Sequence, residues 1–350
     1  MKSIPGWLVS LLIVLGIGGL IAACLAPFGE TPFEGIGTLL EGSLGSARRL
    51  SESFVKTSPL LFAGLAVAVA FKTGAFNIGA EGQFLMGAVG AVVVGKELGA
   101  LPAILAIPLT LLAAAIGGAL WGGIAGVLKA YRNVPEVIGT IMLNFVAIHW
   151  TAALIRGPLR NPSSGLPESA EIAESAILPR LPEISEFVGR TRIHLGLAIG
   201  LGLAVLVYLL LARTVLGFKM RAVGFNPEAA RFAGYRPERI WAGTLAFSGA
   251  LAGLGGGVEV CAITFRVYDN FSAGYGYTAI AVALLARLHP VGVIASAFFF
   301  GALAQGAGAL QRNLDVPLSM VSIVVGLVVI LALALGFHRP GEDRYEEVDT

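Results

Sequence analysis

Apolar runs long enough to cross a lipid bilayer follow one another along almost the whole chain. A transmembrane helix needs about 20 mostly apolar residues, because each residue rises 1.5 Å across roughly 30 Å of hydrocarbon. Only 13% of the 350 residues are charged and 56% are hydrophobic, whereas a soluble domain carries about 25% charged residues. The chain is therefore predicted to be covered by lipid and to form one helical bundle rather than two soluble domains.

The apolar runs predict an all-α polytopic membrane protein with about ten transmembrane helices, some of them short or broken by glycine. Lys2 and the run after Trp7 also resemble a signal peptide, but the many later spans favour an uncleaved first helix. Residues 1–338 are predicted to be the transmembrane domain and residues 339–350 a polar cytoplasmic tail. The ten predicted spans are residues 7–26, 56–72, 78–95, 102–128, 136–155, 194–212, 240–260, 275–288, 291–310 and 317–336.

Basic residues predict which side of the bundle faces the cytoplasm. The loop at residues 213–240 carries six basic residues against Glu228 and Glu238, and the link after the fourth span adds Lys129 and Arg132. Positive residues in short loops mark the cytoplasmic side. With ten spans, both chain ends are then cytoplasmic and the segments 27–55 and 156–192 lie outside.

No residue pattern points to catalysis or to nucleic-acid binding. The net charge is +2, and no face concentrates enough Lys or Arg to bind a phosphate backbone. Gly90–Lys96 matches most of a phosphate-binding loop, but Glu97 follows where a Ser or Thr must hold magnesium. The two cysteines and four histidines have no metal-site spacing. We therefore expect neither an enzyme nor a cofactor in this chain.

A polar, glycine-rich stretch interrupts the second and third predicted spans. Asn77, Glu81 and Gln83 stand among Gly74, Gly79 and Gly82, and glycine supplies the backbone freedom that a helix break requires. One interpretation places this break in a surface turn, where its polar groups meet water. The other places it inside the bundle, where the three polar side chains line a translocation pathway, because ionisable groups at membrane depth are costly.

Further polar and small residues carry weaker predictions. Asn144 is a candidate for the pathway or for an interhelical hydrogen bond worth about 1 kcal/mol. Tyr275 and Tyr277 at the start of the eighth span could anchor it at the outer interface or stack on a ring-shaped solute. Glycines recur at every fourth position on two spans, which predicts close helix packing: Gly118, Gly122 and Gly126, and Gly249, Gly253 and Gly257.

The basic loop contains the signature of a short, well-capped helix. Asn226 is suited to the N-cap and Pro227 to the first helical position, Glu228 lies in the first turn, and Gly234 provides a C-terminal stop. We expect Ala229, Ala230 and Phe232 to be exposed beside arginines, as in a docking element. The alternative is an ordinary solvated loop.

Four segments resemble the permease subunits of ATP-binding-cassette importers for simple sugars and nucleosides, which are related to the branched-chain amino-acid permeases. The segments are FNIGAEGQ (76–83), EVIGTIMLN (136–144), RAVGFNPEAA (221–230) and GYGYTAIAVA (274–283). They occur in the same order and span most of the chain. The first two look most like the nucleoside branch. At Tyr235 the chain departs from the pattern, since an aliphatic residue commonly follows the glycine there.

The resemblance implies an importer in the bacterial or archaeal plasma membrane, with several partners. These are an ATPase subunit that uses ATP and magnesium, a second and often paralogous permease, and an extracellular or periplasmic solute-binding protein that meets segments 27–55 and 156–192. The loop from Gly224 to Gly234 would hold the coupling helix that docks on the ATPase. The residues implied for coupling are Gly224, Asn226, Pro227, Glu228, Ala229, Ala230, Phe232 and Gly234.

The implied solute is a nucleoside or a related small sugar-like molecule, with a pentose or a branched-chain amino acid as alternatives within the same machine. A stand-alone transporter driven by an ion gradient is the rival from another class. It predicts inverted repeats and paired acidic residues at mid-span, for which only Glu81 and Glu259 are candidates. A purely structural membrane subunit would leave the capped helix without a role.

Overall fold

The computed structural model describes residues 31–180, 191–313 and 316–337, together with Gly19, Leu20, Ala22, Ala23 and Ala26. The rest of the predicted first span, and the predicted tail, lie outside the described residues. Within the described part, the regular structure consists of helices, numbered here in chain order. They are α1 (Pro32–Leu44), α2 (Ala47–Lys72), α3 (Ala80–Gly95), α4 (Ala103–Arg132), α5 (Glu136–Arg156), α6 (Leu195–Arg213), α7 (Val215–Phe225), α8 (Pro227–Phe232), α9 (Pro237–Glu259), α10 (Tyr275–Leu285), α11 (Pro290–Asn313) and α12 (Leu318–Phe337).

Six of the described helices are long and apolar enough to cross a membrane: α2, α4, α5, α6, α9 and α11. Helix α9 continues through a wider π-helical turn to Thr264. Helices α3 and α10 have 16 and 11 residues, which is short of the length that spans a bilayer. The multi-pass, all-helical class is confirmed, but the count of ten full spans is not.

Two of the segments predicted between spans contain helices that the sequence analysis did not predict. The segment 27–55 contains α1 and the first turns of α2. Thr31 and Glu34 form a capping box and Pro32 occupies the first turn, so local signals start a helix here. The basic loop 213–240 likewise contains α7, which Thr214 caps by accepting a hydrogen bond from the Gly217 N–H at 3.0 Å.

The chain divides into two compact units. The smaller combines the described residues up to Ser53 with the described residues from Gly301 onward. Its buried apolar cluster comprises Leu39, Leu310, Val316, Val321 and Val324. The larger unit runs from Phe54 to Phe300 and carries every candidate site residue named above.

The two glycine faces predicted for packing contact each other in the larger unit. A Cβ atom on Gly118 would lie 2.1 Å from the Gly249 carbonyl oxygen, and one on Gly253 would lie 2.5 Å from the Ala114 carbonyl oxygen. Helices α4 and α9 therefore touch backbone to backbone, which only glycine permits. The packing role predicted for these glycines is confirmed.

The described part of the segment 156–192 is mostly extended chain packed across one end of the bundle. The N–H groups of Ser169, Ile172 and Leu178 donate to carbonyl oxygens of Val267, Phe265 and Cys261 at 2.8–2.9 Å. Ile172 and Leu178 are buried. Arg266 pairs with Glu168 and Glu171. This predicted outer segment is therefore a folded cap, tied by backbone hydrogen bonds to the end of α9.

Candidate functional site

The polar residues of the glycine-rich break form a buried hydrogen-bond network. The amide of Asn77 pairs reciprocally with that of Gln83 at 2.8 and 3.0 Å, and its Nδ2 also donates to Ser248 Oγ on α9 at 2.8 Å. Ser248 Oγ in turn donates to the Ala66 carbonyl on α2 at 2.6 Å. All these side chains are buried, so the network joins three helices instead of meeting water.

Asn144 on α5 completes the start of α3. The N-cap position of α3 is Gly79, which has no side chain to accept the first orphan N–H groups. Asn144 Oδ1 accepts from the Gly82 N–H at 2.9 Å, and its Nδ2 donates to the Ile78 carbonyl at 2.9 Å. Asn144 is thus an interhelical cap, which agrees with the hydrogen-bonding interpretation of this residue.

Glu81 acts at the start of a different helix, α10. Its carboxylate accepts from the Gly276 N–H at 2.7 Å and from the Ser272 hydroxyl. Helix α10 begins after Gly274, which has a φ of +82° and no capping side chain. Because a helix N-terminus carries partial positive charge, and Glu81 lies in the first turn of α3 as well, two helix N-termini face one carboxylate. The surface-turn interpretation is therefore wrong: Glu81 is 3% exposed.

A small cavity of about 70 Å³ borders this carboxylate. Its lining includes Glu81, Thr151 of α5 and Tyr268, with Ser272 beside them. The Thr151 hydroxyl is buried and has no hydrogen-bond partner, which is uncommon for a buried polar group. The cavity therefore presents an acidic group and an unused hydroxyl at the junction of α3, α5 and the chain leading into α10.

The two tyrosines of α10 have different surroundings. The Tyr275 ring lies 5.9 Å from the Phe84 ring and packs against the apolar core cluster. Tyr277 is 42% exposed and lies close enough to Asn144 and Glu81 to interact with both. Tyr275 is thus partly buried against the core, and Tyr277 is the more exposed of the two rings.

Replacing Asn144 by leucine tests whether this residue supports α3. The substitution keeps the branched shape and the number of heavy atoms of the side chain but leaves the Gly82 N–H and the Ile78 carbonyl without partners. Two lost hydrogen bonds of this kind are worth about 2 kcal/mol together. The thermal unfolding midpoint of the purified chain is then expected to fall by roughly 4–8 °C. Met142→Leu, at an exposed position of the same helix, is the control, and equal midpoints for both variants would contradict the capping role.

The short helix expected in the basic loop is present as α8. Asn226 Oδ1 accepts from the N–H groups of Glu228 and Ala229 at 3.0 Å, and Pro227 occupies the first helical position. Gly234 has a φ of +85°, and the Tyr235 N–H bonds back to the Ala230 carbonyl at 3.0 Å. This backbone pattern is a glycine-dependent helix stop. The capping predictions for Asn226, Pro227 and Gly234 are confirmed as structure.

Two aromatic side chains are exposed at α8 and directly before it. Phe232 is 94% exposed and Phe225, just before the N-cap, is 91% exposed. Glu228 and Ala229 are exposed as well. Ala230 is 5% exposed, so the expectation that it faces outward is wrong. It faces inward because it lies on the opposite side of the one-and-a-half-turn helix from Phe232.

Gly224 connects this region to the turn between α2 and α3. A Cβ on Gly224 would lie 2.3 Å from the Lys72 carbonyl oxygen, and Gly74 lies against the Gly224 backbone. The same turn accepts a hydrogen bond from Trp241 Nε1 to the Thr73 carbonyl at 3.3 Å. Gly224 is therefore a packing contact one short turn away from Asn77.

Sequence reasoning missed the partners that hold the site together. Ser248, Ser272 and Thr140 supply hydroxyls to the network. Lys129 and Glu136 form an ion pair at 2.6 Å beside the turn, and the Lys129 ammonium lies over the Trp241 ring, 4.5 Å from its centre. The one sequence signal for this ion pair was the presence of a Lys and a Glu on either side of the short link between α4 and α5.

Comparison with known proteins shows the family. The family described as "Branched-chain amino acid transport system / permease component" matches residues 49–333. The chain is 34% identical to the glucose ABC transporter permease protein of Haloferax volcanii, over 97% of this chain and 90% of that one. It is 36% identical to the guanosine ABC transporter permease protein of Bacillus subtilis (92% and 91%).

A nucleoside ABC transporter permease protein of Lactococcus lactis is 31% identical, over 91% of this chain and 88% of that one. No solved structure matches the chain. The family match covers all four segments that carry the resemblance, which lie at the break before α3, along the start of α5, at α8 and at the start of α10. The chain therefore belongs to the family of branched-chain amino acid transport system permease components, as a multi-pass membrane protein.

Proposed function

We propose that this chain is one membrane-spanning subunit of an ATP-binding-cassette importer and forms half of the pathway for a nucleoside or a related small sugar-like solute. The observation that carries the proposal is the 36% identity to a guanosine ABC transporter permease over 91% of that protein. The matched region covers 92% of this chain, so the likeness extends over the whole bundle and not over one helix pair.

In this proposal ATP hydrolysis takes place in a separate ATPase subunit, which holds ATP and magnesium. Helix α8 docks on that subunit through Phe232, and Phe225 at the end of α7 adds a second apolar contact. Large exposed aromatic side chains next to charges are typical of binding hot spots. Their exposure above 90% in the basic loop, whose charges predict the cytoplasmic side, supports this assignment, because a monomeric surface gains nothing by exposing them.

A mechanical route leads from α8 toward the polar network. Movement of α8 would be transmitted by α7 to Gly224, which touches the turn at Lys72–Gly74. That turn leads within three residues to Asn77, which is hydrogen-bonded to α3 and α9. We propose that ATP-driven closure of the ATPases shifts this turn and thereby opens the bundle toward one side or the other.

The pathway residues fall into two groups in this proposal. The first group makes its hydrogen bonds within the protein and consists of Asn77, Gln83 and Asn144. These residues shape the pathway by fixing the start of α3. Glu81 and Tyr277 lie at its wall, where a carboxylate can accept hydrogen bonds from sugar hydroxyls and an exposed ring can stack on a base or sugar ring.

The remaining partners are proposed from the family context. A second permease, paralogous or identical, would complete the pathway, and a solute-binding protein would dock on the outer cap at residues 156–180. Both chain ends are proposed to be cytoplasmic, on the side of the basic loop. This orientation places α8 with the ATPase and the Arg266 ion pairs with the binding protein.

Uptake by the reconstituted complex tests the proposed solute. Proteoliposomes holding this chain, its partner permease and the ATPase, with the binding protein outside, are expected to accumulate labelled guanosine only when ATP and magnesium are inside. Unlabelled nucleosides in about 100-fold excess should reduce that uptake by more than about tenfold by simple competition, while leucine should not.

Two results would contradict the proposal in different ways. If glucose or a free pentose competed with the labelled solute and nucleosides did not, the importer assignment would stand and the solute would be a sugar. Uptake by this chain alone, driven by a proton or sodium gradient without any ATPase, would replace the importer by a secondary transporter. Helix α8 favours the ATP-driven importer over the secondary transporter, because a stand-alone transporter has no subunit for this helix to contact.

A further inference from the structure

A second cavity, away from the polar network, lies beside α6, α7 and α9. Its volume is about 410 Å³, which is within the usual range of about 300–1,000 Å³ for ligand sites. Most of its wall is apolar, with Leu210, Leu216 and Phe247 among the lining residues. Leu216 is 54% exposed, so the cavity opens on the outer surface of these helices.

Two basic side chains, Lys219 and Arg239, line the same cavity. Among the ion pairs of the described residues, neither takes part in one, although Arg231 nearby pairs with Glu238. The Lys219 ammonium faces the Tyr235 ring at 5.8 Å. Two cations without a carboxylate partner on the wall of an apolar cavity form a site for an amphiphile with a negative head.

The position of the cavity identifies the amphiphile. Helices α6 and α9 are long and apolar enough to cross the bilayer, and α7 continues from the end of α6 with its own exposed apolar residues, Leu216 and Phe218. The basic loop predicts that this end is cytoplasmic. Basic pockets between transmembrane helices at the cytoplasmic surface attract anionic lipid head groups.

We propose that this cavity binds an anionic phospholipid, with the phosphate between Lys219 and Arg239 and an acyl chain along Leu210, Leu216 and Phe247. A bound lipid would connect α7 to α9, the two helices that flank α8 in the chain. The mobility of α8 relative to the bundle would then depend on the lipid. The site is separate from the solute pathway, so it does not depend on which solute is carried.

Lipid binding to the purified complex tests this site. Native mass spectrometry and titration in detergent would compare phosphatidylglycerol with phosphatidylcholine of the same acyl chains. We expect the anionic lipid to bind about tenfold more tightly. The double variant Lys219→Gln/Arg239→Gln should lose that preference, while Arg213→Gln, which removes an exposed charge of the same loop that does not line the cavity, should keep it.

A third variant tests the proposed acyl-chain site separately from the proposed head-group site. A Cβ added to Gly243 meets nothing within 4 Å, and Gly243 lines the cavity, so Gly243→Leu places an apolar side chain in the space proposed for the acyl chain. It should weaken the binding of both lipids, and it should leave the thermal midpoint in lipid-free detergent unchanged, which shows that the variant still folds.

Several results would overturn the proposal. Equal affinity for the two lipids in the native protein would do so, and so would an unchanged preference in the double variant. Competition by soluble glycerol phosphate at similar concentration would mean a site for a free anion. A crosslink from Leu216→Cys to another subunit of the assembled complex would mean that a protein covers the cavity.

Discussion

Uptake of solute by the assembled complex is expected to fall at least about 30-fold when Ala229 is replaced by arginine. Ala229 is exposed on α8, and a long charged side chain there would hold α8 away from the ATPase surface on which we propose that it docks. Loss of one central contact of an interface costs about 2 kcal/mol or more, which corresponds to this factor. The measurement is ATP-dependent uptake in proteoliposomes, together with binding of the isolated ATPase subunit.

The fold of the permease should survive this change, because Ala229 has no buried contact to lose. Ala103→Arg makes the same chemical change at an exposed position in the first turn of α4, at the other end of a long helix from the basic loop, and should retain uptake. Near-native uptake by the Ala229 variant would remove α8 from the coupling mechanism. The family assignment would stand in that case, since it rests on the whole chain.

Replacing Gly249 by alanine is expected to have the largest effect on stability. The added Cβ would lie 2.2 Å from the Gly118 carbonyl oxygen, and this neighbour is backbone, which cannot rotate away. Overpacking of a tight core costs about 1–3 kcal/mol, and we place this variant at about 3 kcal/mol because helices α4 and α9 must separate. The thermal midpoint of the purified protein should fall by roughly 6–12 °C.

A glycine on the same helix provides the matched control. At Gly243 an added Cβ meets nothing within 4 Å, and alanine has the better helix propensity by about 1 kcal/mol. Gly243→Ala should therefore keep or slightly raise the midpoint. If the two alanine variants unfolded at the same temperature, the backbone contact between α4 and α9 would be disproved.

Local signals in the sequence predicted local structure correctly. Both ends of α8 could be predicted because capping depends on neighbouring residues only. Its start is marked by Asn226, Pro227 and Glu228, and its end by Gly234. The glycine repeat on α4 predicted a packing face for the same reason. It could not predict the partner, since a periodic pattern defines which side of a helix is close-packed and not which helix lies against it.

Contacts between distant residues could not be predicted. Glu81 meets Ser272 and Gly276 across separations of 191 and 195 residues, and no pattern around Glu81 indicates this pairing. The sequence therefore left its two interpretations open. Helix α7 was missed because its Lys219 and Arg221 made the segment resemble a loop, although Thr214 already marked a helix start.

The start of α10 has a consequence for how the chain is made. This helix has no capping side chain of its own, and its first N–H groups depend on a carboxylate that is synthesised nearly two hundred residues earlier. Because Glu81 is synthesised long before α10, the acceptor for the Gly276 N–H already exists when α10 leaves the ribosome. The cap of α10 can then form only once α10 has packed against α3, so the start of this helix is a product of tertiary assembly and not of its own sequence.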